Sequence, residues 1–375
     1  MPPTLAIRGS ASGDVFVEDE RIMPAPPAIS PARTLDATGC RVVAGFVDLQ
    51  CNGAFGVDFT SGPKDAHEAA ARLPETGVTS FLPTVISAPA AATRRAIAEL
   101  HGLRCASSGA RSLGVHLEGP FHNPVRRGAH ARQHLRLPDR DEAAAWSAAG
   151  GVALVTLAPE LDGALELVAD LVGRGVVVCC GHCEVSASEL HAAVAAGVTG
   201  ATHLFNAMGS LSARSPGTAG AVLAAPTLMA GIIVDGLHVD PAMVAIAWRA
   251  LGSGRLFLVT DAVAALGLAD GSFQIGDVDV LVDETGVHTA DGVLAGSVLR
   301  MDVAVRNLMA FTGCTIEAAV AAASATPARL LGRRDVGVIE PGAYGDIVLL
   351  DDSNHVVATV VGGSVVHDPQ QRASR

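Results

Sequence analysis

Polar side chains that can bind a metal ion or transfer a proton stand where short apolar runs of this sequence end. They are Gln50, Asn52, Glu118, His182, His203 and Asp261. Glutamate and histidine are ligands of Zn²⁺, and a catalytic zinc keeps one coordination position open for water. An aspartate beside such a water can act as general base and general acid. These residue types therefore point to hydrolysis by a metal-activated water.

Each of these residues also has an ordinary structural explanation when it is taken alone. A histidine after a strand is more often held by hydrogen bonds than bound to a metal. Glu118 can cap the turn that follows it, and Asp261 can cap a helix that begins at Ala262. Such residues recur at five of the eight strands predicted below, and this recurrence favours one shared site.

The elements that must position these side chains are alternating strands and helices. Continuously apolar strands separated by helices are typical of a parallel sheet covered on both faces. Eight such strands predict an α/β fold of the (β/α)₈ barrel type, whose active site lies at the carboxyl ends of the strands. An open, doubly wound sheet is the alternative with the same periodicity. The predicted strands are 46–49, 79–82, 113–117, 153–157, 176–179, 200–203, 229–234 and 256–260, and the helices 90–100, 164–171, 187–195 and 241–250.

The two ends of the chain have a different pattern, with short apolar runs between glycine, proline and aspartate. This pattern predicts strands and turns. We expect residues 1–43 and 337–367 to form one small, discontinuous β-sandwich domain, residues 44–336 to form the barrel, and residues 368–375 to be a polar tail. The segment 271–296 alternates valines with polar residues and glycines, and predicts a hairpin inserted after the last barrel strand.

Composition and charge exclude several classes of partner. Of 375 residues, 49% are hydrophobic and 17% are charged, and the formal net charge is −12 without a basic run. This balance argues against nucleic acid and anionic membranes as partners, and an anionic substrate needs a local basic pocket. The longest uncharged stretch, 217–234, contains Pro226 and glycines and is expected to be a loop followed by a strand. Without a signal-peptide pattern at the start, we expect a cytoplasmic protein.

The string Cys180-Gly181-His182-Cys183 has the spacing of a disulfide oxidoreductase motif. A thioredoxin-like domain would need its own strands, and a zinc knuckle would need a second ligand pair. The seven cysteines are an odd number and, without a secretion signal, are expected to be reduced thiols. We therefore favour His182 as a barrel ligand, with Cys179, Cys180 and Cys183 as small packing residues.

Several longer strings match one family in order over nearly the whole chain. They are GFVDLQCNG at 45–53, HLEGPF at 116–121, RGAH at 127–130, ATHLFNAM at 201–208, DGLHVD at 235–240 and VTDA at 259–262. Together they resemble the N-acetylglucosamine-6-phosphate deacetylases of the amidohydrolase superfamily. The resemblance implies an enzyme that removes the acetyl group from a phosphorylated amino sugar.

The resemblance also implies roles for individual residues. It implies one divalent metal, taken to be zinc, on Glu118, His182 and His203. Asp261 would be the acid/base and His130 would polarise the acetyl carbonyl. The phosphosugar would be held by Asn206, the Ala207 backbone amide and Arg214, and by His238 reaching the phosphate of a neighbouring subunit, which implies a homodimer with a shared site.

The sequence departs from the many amidohydrolases that carry His-x-His in the first strand and bind two metals. Here Gln50 and Asn52 stand at these positions, and amides are poor zinc ligands beside imidazole. We interpret the pair as a remnant of a second metal site. Two further functions stay open: another amidohydrolase, such as a dihydroorotase-like enzyme or a different N-acyl deacetylase, and a non-catalytic relative that keeps the barrel.

Overall fold

In the computed structural model, which describes residues 4–10, 13–27, 31–103 and 109–374, eight parallel strands form a nearly closed barrel. Each strand is short and almost entirely buried, as expected for strands covered on both faces. The strands are β1 (Phe46–Cys51), β2 (Val78–Ile86), β3 (Val115–Glu118), β4 (Val152–Leu157), β5 (Val177–Cys180), β6 (Gly200–Ala201), β7 (Met229–Ile232) and β8 (Leu256–Leu258).

The order of the strands around the barrel follows the order of the chain. β1 pairs with β2, and each later strand pairs in parallel with the next as far as β8. The residues after β8 return to β1, because the Asp261 backbone N–H donates to Gln50 O at 2.9 Å. The Asp48 carboxylate of β1 also accepts from the Thr260 hydroxyl, with Oδ2 and Oγ1 2.5 Å apart. The predicted barrel is confirmed, and the open sheet is wrong.

Helices surround this barrel, and the four predicted helices are present. In the described part of the chain the helices are α1 (Ala66–Arg72), α2 (Ala90–His101), α3 (Ala164–Gly173), α4 (Ala187–Ala196), α5 (Gly217–Ala224), α6 (Pro241–Leu251), α7 (Met301–Thr312), α8 (Ile316–Ala323) and α9 (Ala325–Leu330). Capping residues in the sequence explain two of the starts. Ser186 and Glu189 form a capping box at α4, and Asp240 caps α6 before Pro241.

The stretch 217–234 was expected to begin as a loop, and this expectation is wrong. Its first residues form α5, and Thr218 to Val222 are buried in it. Burial against the barrel overrides the low helix propensity of the two glycines in this helix. In the described residues, no helix has the length and apolar character that a membrane crossing requires.

Residues from both ends of the chain form two sheets that share one core. One sheet joins Arg41–Ala44, Ile347–Leu350, Val356–Val361 and Ser364–His367, and the other joins Leu5–Arg8, Val15–Glu18, Arg21–Ile22, Arg33–Asp36 and Ala373–Ser374. Leu5, Ile7 and Leu35 of the second sheet pack with Ile347 and Leu349 of the first. This is the expected β-sandwich, and we propose it as one domain bounded near 43/44 and 336/337.

The last residues differ from the polar tail that we expected for 368–375. Ala373–Ser374 pairs antiparallel with Arg33–Asp36 and adds an edge strand to the terminal sheet. Asp368 holds this turn in place by accepting hydrogen bonds from the Arg372 and Ala373 backbone amides. A two-residue strand is too short to leave an apolar alternation in the sequence.

The insertion after β8 has three antiparallel strands, Gly271–Ile275, Val278–Asp283 and Gly286–Thr289, rather than a single hairpin. Its apolar face packs on Ile86 at the end of β2. Polar contacts join it to the loop after β3, including Arg127 to Asp291 at 3.4 Å and His134 to Asp277 at 2.8 Å. The insertion therefore covers one side of the barrel mouth.

Candidate active site and metal centre

Glu118, His182 and His203 meet at the carboxyl ends of three barrel strands. Glu118 is the last residue of β3, and the histidines lie two residues beyond β5 and β6. Glu118 Oε1 lies 3.3 Å from His182 Nε2 and 3.0 Å from His203 Nε2, and the two Nε2 atoms are 3.0 Å apart. Metal–ligand bonds of about 2.0–2.1 Å in a tetrahedral site give ligand separations of about 3.3 Å. The three donors therefore fit one divalent cation.

The hydrogen bond of His182 supports this assignment. His182 Nδ1 donates to the Arg126 carbonyl oxygen at 3.0 Å, which leaves the Nε2 lone pair for a metal. Among the described residues, His203 Nδ1 has no hydrogen-bond partner, although the residue is only 4% exposed. The 3.0 Å separation of the two Nε2 atoms shows that both imidazoles direct Nε2 at the same point.

The backbone at these strand ends is in an unusual conformation. His182, His203 and Asp261 have φ values of 49°, 26° and 51°, in the left-handed region that residues other than glycine rarely adopt. Such conformations persist where the surrounding structure enforces them, and they cluster at functional sites. Three of the predicted residues share this feature at three different strand ends.

Asp261 lies beside the metal ligands and is held by the two amide side chains of β1. Its Oδ1 accepts from Asn52 Nδ2 at 2.6 Å and from Gln50 Nε2 at 3.1 Å. Gln50 Nε2 also donates to Glu118 Oε1 at 2.8 Å, and its Oε1 accepts from the Thr202 hydroxyl. In this structure the Gln50 and Asn52 amides are hydrogen-bond donors to the two carboxylates. Their interpretation as the remnant of a second metal site stays a prediction.

The same environment shifts the proton affinity of Asp261. Burial, followed by the negative charge of Glu118, raises the pKa of Asp261 to about 6. Its Oδ1 is occupied by the two amides, so Oδ2 is the oxygen available to the cavity. A carboxylate of this pKa can both accept and return a proton near neutral pH.

His130 faces the metal ligands from the loop after β3. Its Nε2 lies 3.9 Å from Glu118 Oε2, and its Nδ1 lies 2.8 Å from the Ser87 hydroxyl oxygen. Burial, followed by the neighbouring His182, lowers the pKa of His130 to about 3. His130 is therefore a neutral imidazole at physiological pH.

His122 is a site residue to which sequence reasoning gave no role. Its ring stacks on His182 with centroids 4.2 Å apart and an interplanar angle of 11°. His122, His130 and His182 lie close enough to be considered a second metal cluster. However, His182 Nδ1 donates to the Arg126 carbonyl oxygen, and His182 Nε2 faces Glu118 and His203. We therefore assign no metal to the cluster of His122, His130 and His182. The only sequence signal for His122 is its position directly after the HLEGPF string.

A cavity of about 310 Å³ opens above these residues. Among the predicted residues, it is lined by Asn52, Glu118, His130, His182, His203, Asn206, Ala207, His238 and Asp261. His238 Nδ1 donates to Asp235 Oδ2 at 2.6 Å, which fixes its ring. Arg214 is exposed in the loop before α5 and does not line the cavity of its own chain. Arg126, which sequence reasoning left without a role in binding, does line it.

A barrel with two histidines and a glutamate converging at its carboxyl mouth defines a metal-dependent hydrolase. Residues 41–366 match the amidohydrolase family. The chain is 40% identical to N-acetylglucosamine-6-phosphate deacetylase of Bos taurus, over 88% of this chain and 84% of that protein. It is 36% identical to N-acetylgalactosamine-6-phosphate deacetylase of Shewanella, over 89% of this chain and 85% of that protein.

A solved structure agrees with these relatives. The fold matches a variant N-acetyl-D-glucosamine-6-phosphate deacetylase from Mycobacterium smegmatis, in complex with N-acetyl-D-glucosamine-6-phosphate, with a TM-score of 0.87 at 32% identity over 97% of this chain and 99% of that chain. The chain therefore belongs to the amidohydrolase family and, within it, to the N-acetylglucosamine-6-phosphate deacetylases.

The ligand assignment predicts a loss of metal when Glu118 is changed. Glu118→Gln keeps the size of the side chain but replaces a charged oxygen donor with a neutral amide, so we expect metal affinity to fall by at least about ten-fold. Metal per chain after dialysis against a weak chelator, measured by mass spectrometry, tests this. The control is Glu166→Gln on the exposed face of α3, which should keep its metal. Equal metal content in both variants would contradict the assignment.

Proposed function

We propose that this protein hydrolyses the acetamide of N-acetylglucosamine 6-phosphate to glucosamine 6-phosphate and acetate. The observation that carries this proposal is the convergence of Glu118, His182 and His203 with Asp261 in one cavity. The relatives named above and the substrate in the complex of the solved relative supply the substrate class.

We propose Zn²⁺ as the single divalent cation, on Glu118, His182 and His203. Two imidazoles and one carboxylate are a donor set typical of catalytic zinc. When bound, such an ion supplies hydroxide near neutral pH and polarises a carbonyl oxygen. Bound through the Nε2 atoms of His182 and His203 and through the Glu118 carboxylate, a divalent cation would keep a net positive charge.

Asp261 is proposed as the group that moves the proton. Its free Oδ2 accepts a proton from the attacking water while the water oxygen bonds to the acetyl carbon. The same oxygen then returns that proton to the sugar nitrogen as the C–N bond breaks, releasing acetate and the amine. The pKa of about 6, raised by burial and by Glu118, suits both transfers.

His130 is proposed to stabilise the acetyl oxygen as negative charge develops on it. A neutral imidazole with a proton on Nε2 donates a hydrogen bond towards the metal ligands, where that oxygen would lie. Donors of this kind are worth about 2.7–4 kcal/mol of transition-state stabilisation.

The phosphate is proposed to bind through Asn206, the Ala207 backbone N–H, Arg214 and His238. Three of these line the cavity, and Arg214 lies outside it on the surface of the same chain. We also propose a homodimer with a site shared between subunits. The separation of Arg214 from the cavity that His238 lines supports this, since two subunits would be needed to bring both groups to one phosphate.

The substrate assignment predicts a strong dependence on the phosphate. Zinc-reconstituted protein should release acetate from N-acetylglucosamine 6-phosphate, with kcat/KM at least about 100-fold above that for N-acetylglucosamine, because charge-assisted contacts to the phosphate are lost with the free sugar. The galactosamine isomer serves as a second substrate, since a relative acts on that series by name. Equal rates with and without phosphate would favour a different amidohydrolase.

A shared site predicts complementation between two variants that each bind the phosphorylated sugar weakly. His238→Ala and Arg214→Ala should each raise KM for the phosphorylated sugar. Each mixed dimer would contain one site with both groups intact and one site with neither. Since half of the dimers are mixed after subunit exchange, activity should recover towards about a quarter of the native value. Recovery is measured at low substrate concentration against the unmixed variants. No recovery in verified mixed dimers would contradict the shared site.

A further inference from the structure

Ser87 follows the last residue of β2 and is only 3% exposed, directly beside His130. We propose that Ser87 is a positioning residue that fixes His130 in the tautomer carrying its proton on Nε2. The inference deepens the proposed function, on which it rests, because it explains how His130 can donate a hydrogen bond to the acetyl oxygen. Sequence reasoning placed no functional residue at the end of β2.

Two contacts to the same ring nitrogen decide the tautomer. The Ser87 backbone N–H approaches His130 Nδ1 at 3.3 Å, and the Ser87 hydroxyl oxygen lies 2.8 Å from it. The hydroxyl could donate or accept, but a backbone N–H can only donate. Nδ1 must therefore be the acceptor, and the single proton of the neutral ring lies on Nε2.

This tautomer points the donor at the reacting centre. His130 Nε2 faces the metal ligands, 3.9 Å from Glu118 Oε2. With the proton on Nδ1 instead, a lone pair would face the oxygen on which negative charge develops. In serine proteases, the wrong histidine tautomer costs about 10⁴-fold in kcat, which shows how strongly this choice can matter.

The ring and the hydroxyl are both confined. The His130 ring meets His122 and His182 edge to face, with centroids 4.6 Å and 4.5 Å apart. Gly119 lies against the Ser87 hydroxyl with a φ of +88°, and a Cβ there would overlap Ser87 Oγ. Only glycine at this turn after β3 leaves room for the hydroxyl and tolerates the backbone conformation.

Imidazole ¹⁵N spectroscopy of the full-length protein, with and without zinc, tests the tautomer directly. The chain has 13 histidines, and the His130 signals are those absent from the spectrum of His130→Gln. We expect Nδ1 to resonate as an unprotonated nitrogen and Nε2 as a protonated one, in both zinc-free and zinc-loaded protein. A protonated Nδ1 overturns the proposal. This readout does not depend on turnover, so it decides the tautomer even if no acetylated sugar is hydrolysed.

Two variants on the same strand separate positioning from packing. Ser87→Ala removes the hydroxyl and leaves the backbone N–H as the only donor, so we expect partial protonation of Nδ1 and a fall in kcat of about ten-fold, with KM and zinc content unchanged. Ser80→Ala is the matched control, since Ser80 Oγ is buried in β2 without a hydrogen-bond partner among the described residues. It should leave the His130 signals and kcat at native values. A Ser87→Ala protein with native kcat and native His130 signals, or an equal loss in Ser80→Ala, overturns the proposal.

Discussion

Two buried carboxylates, Glu118 and Asp261, share one amide donor at the mouth of the barrel, and the chemistry of the site depends on this contact. Burying a carboxylate is costly unless a cation or hydrogen-bond donors compensate it. Gln50 Nε2 donates to both carboxylates, and Asn52 adds a second donor to Asp261. Glu118 also lies at hydrogen-bonding distance from the His182 and His203 imidazoles, whereas His203 and His238 act on Asp261 through their charge. The same crowding therefore gives a metal ligand on one side and a carboxyl group with a pKa of about 6 on the other.

This arrangement requires side chains from distant parts of the sequence at fixed separations. The parallel barrel supplies them, because all of its strands end at one mouth. The left-handed backbone at His182, His203 and Asp261 then turns each side chain inward within two or three residues of its strand. The backbone hydrogen bond from Asp261 to Gln50 joins the end of the barrel to its first strand. The barrel therefore closes at the same place where the site is assembled.

Much of this could be predicted from the sequence, because the strands are uniformly apolar and the polar residues interrupt them at their ends. That pattern located β1 to β8 and placed Glu118, His182, His203 and Asp261 together. Features without a local pattern were missed. Ser87 and His122 contact His130 and His182, respectively, which are distant from them in sequence. The helix α5 depends on burial, which the glycines of its sequence do not indicate. The amides of Gln50 and Asn52 were recognised as unusual, but only the structure shows that they hold Asp261.

The position of Arg214 cannot be explained by the contacts of a single chain if this residue binds the phosphate, as we propose. The resemblance groups Arg214 with Asn206 and Ala207 and assigns His238 to the phosphate of a neighbouring subunit. In one chain, however, His238 lines the cavity with Asn206 and Ala207, and Arg214 lies on the surface. No periodicity or spacing within the sequence would describe the interface of the proposed dimer.

The proton-transfer role of Asp261 is tested most directly by measuring zinc content and single-turnover acetate release in Asp261→Asn and in the native protein. Asparagine keeps an oxygen for the Gln50 and Asn52 amides but cannot take a proton from water. We therefore expect one zinc per chain, native substrate affinity and a rate of acetate release lower by about 10²–10⁴-fold. Native rates of acetate release in a zinc-loaded Asp261→Asn protein would contradict this role.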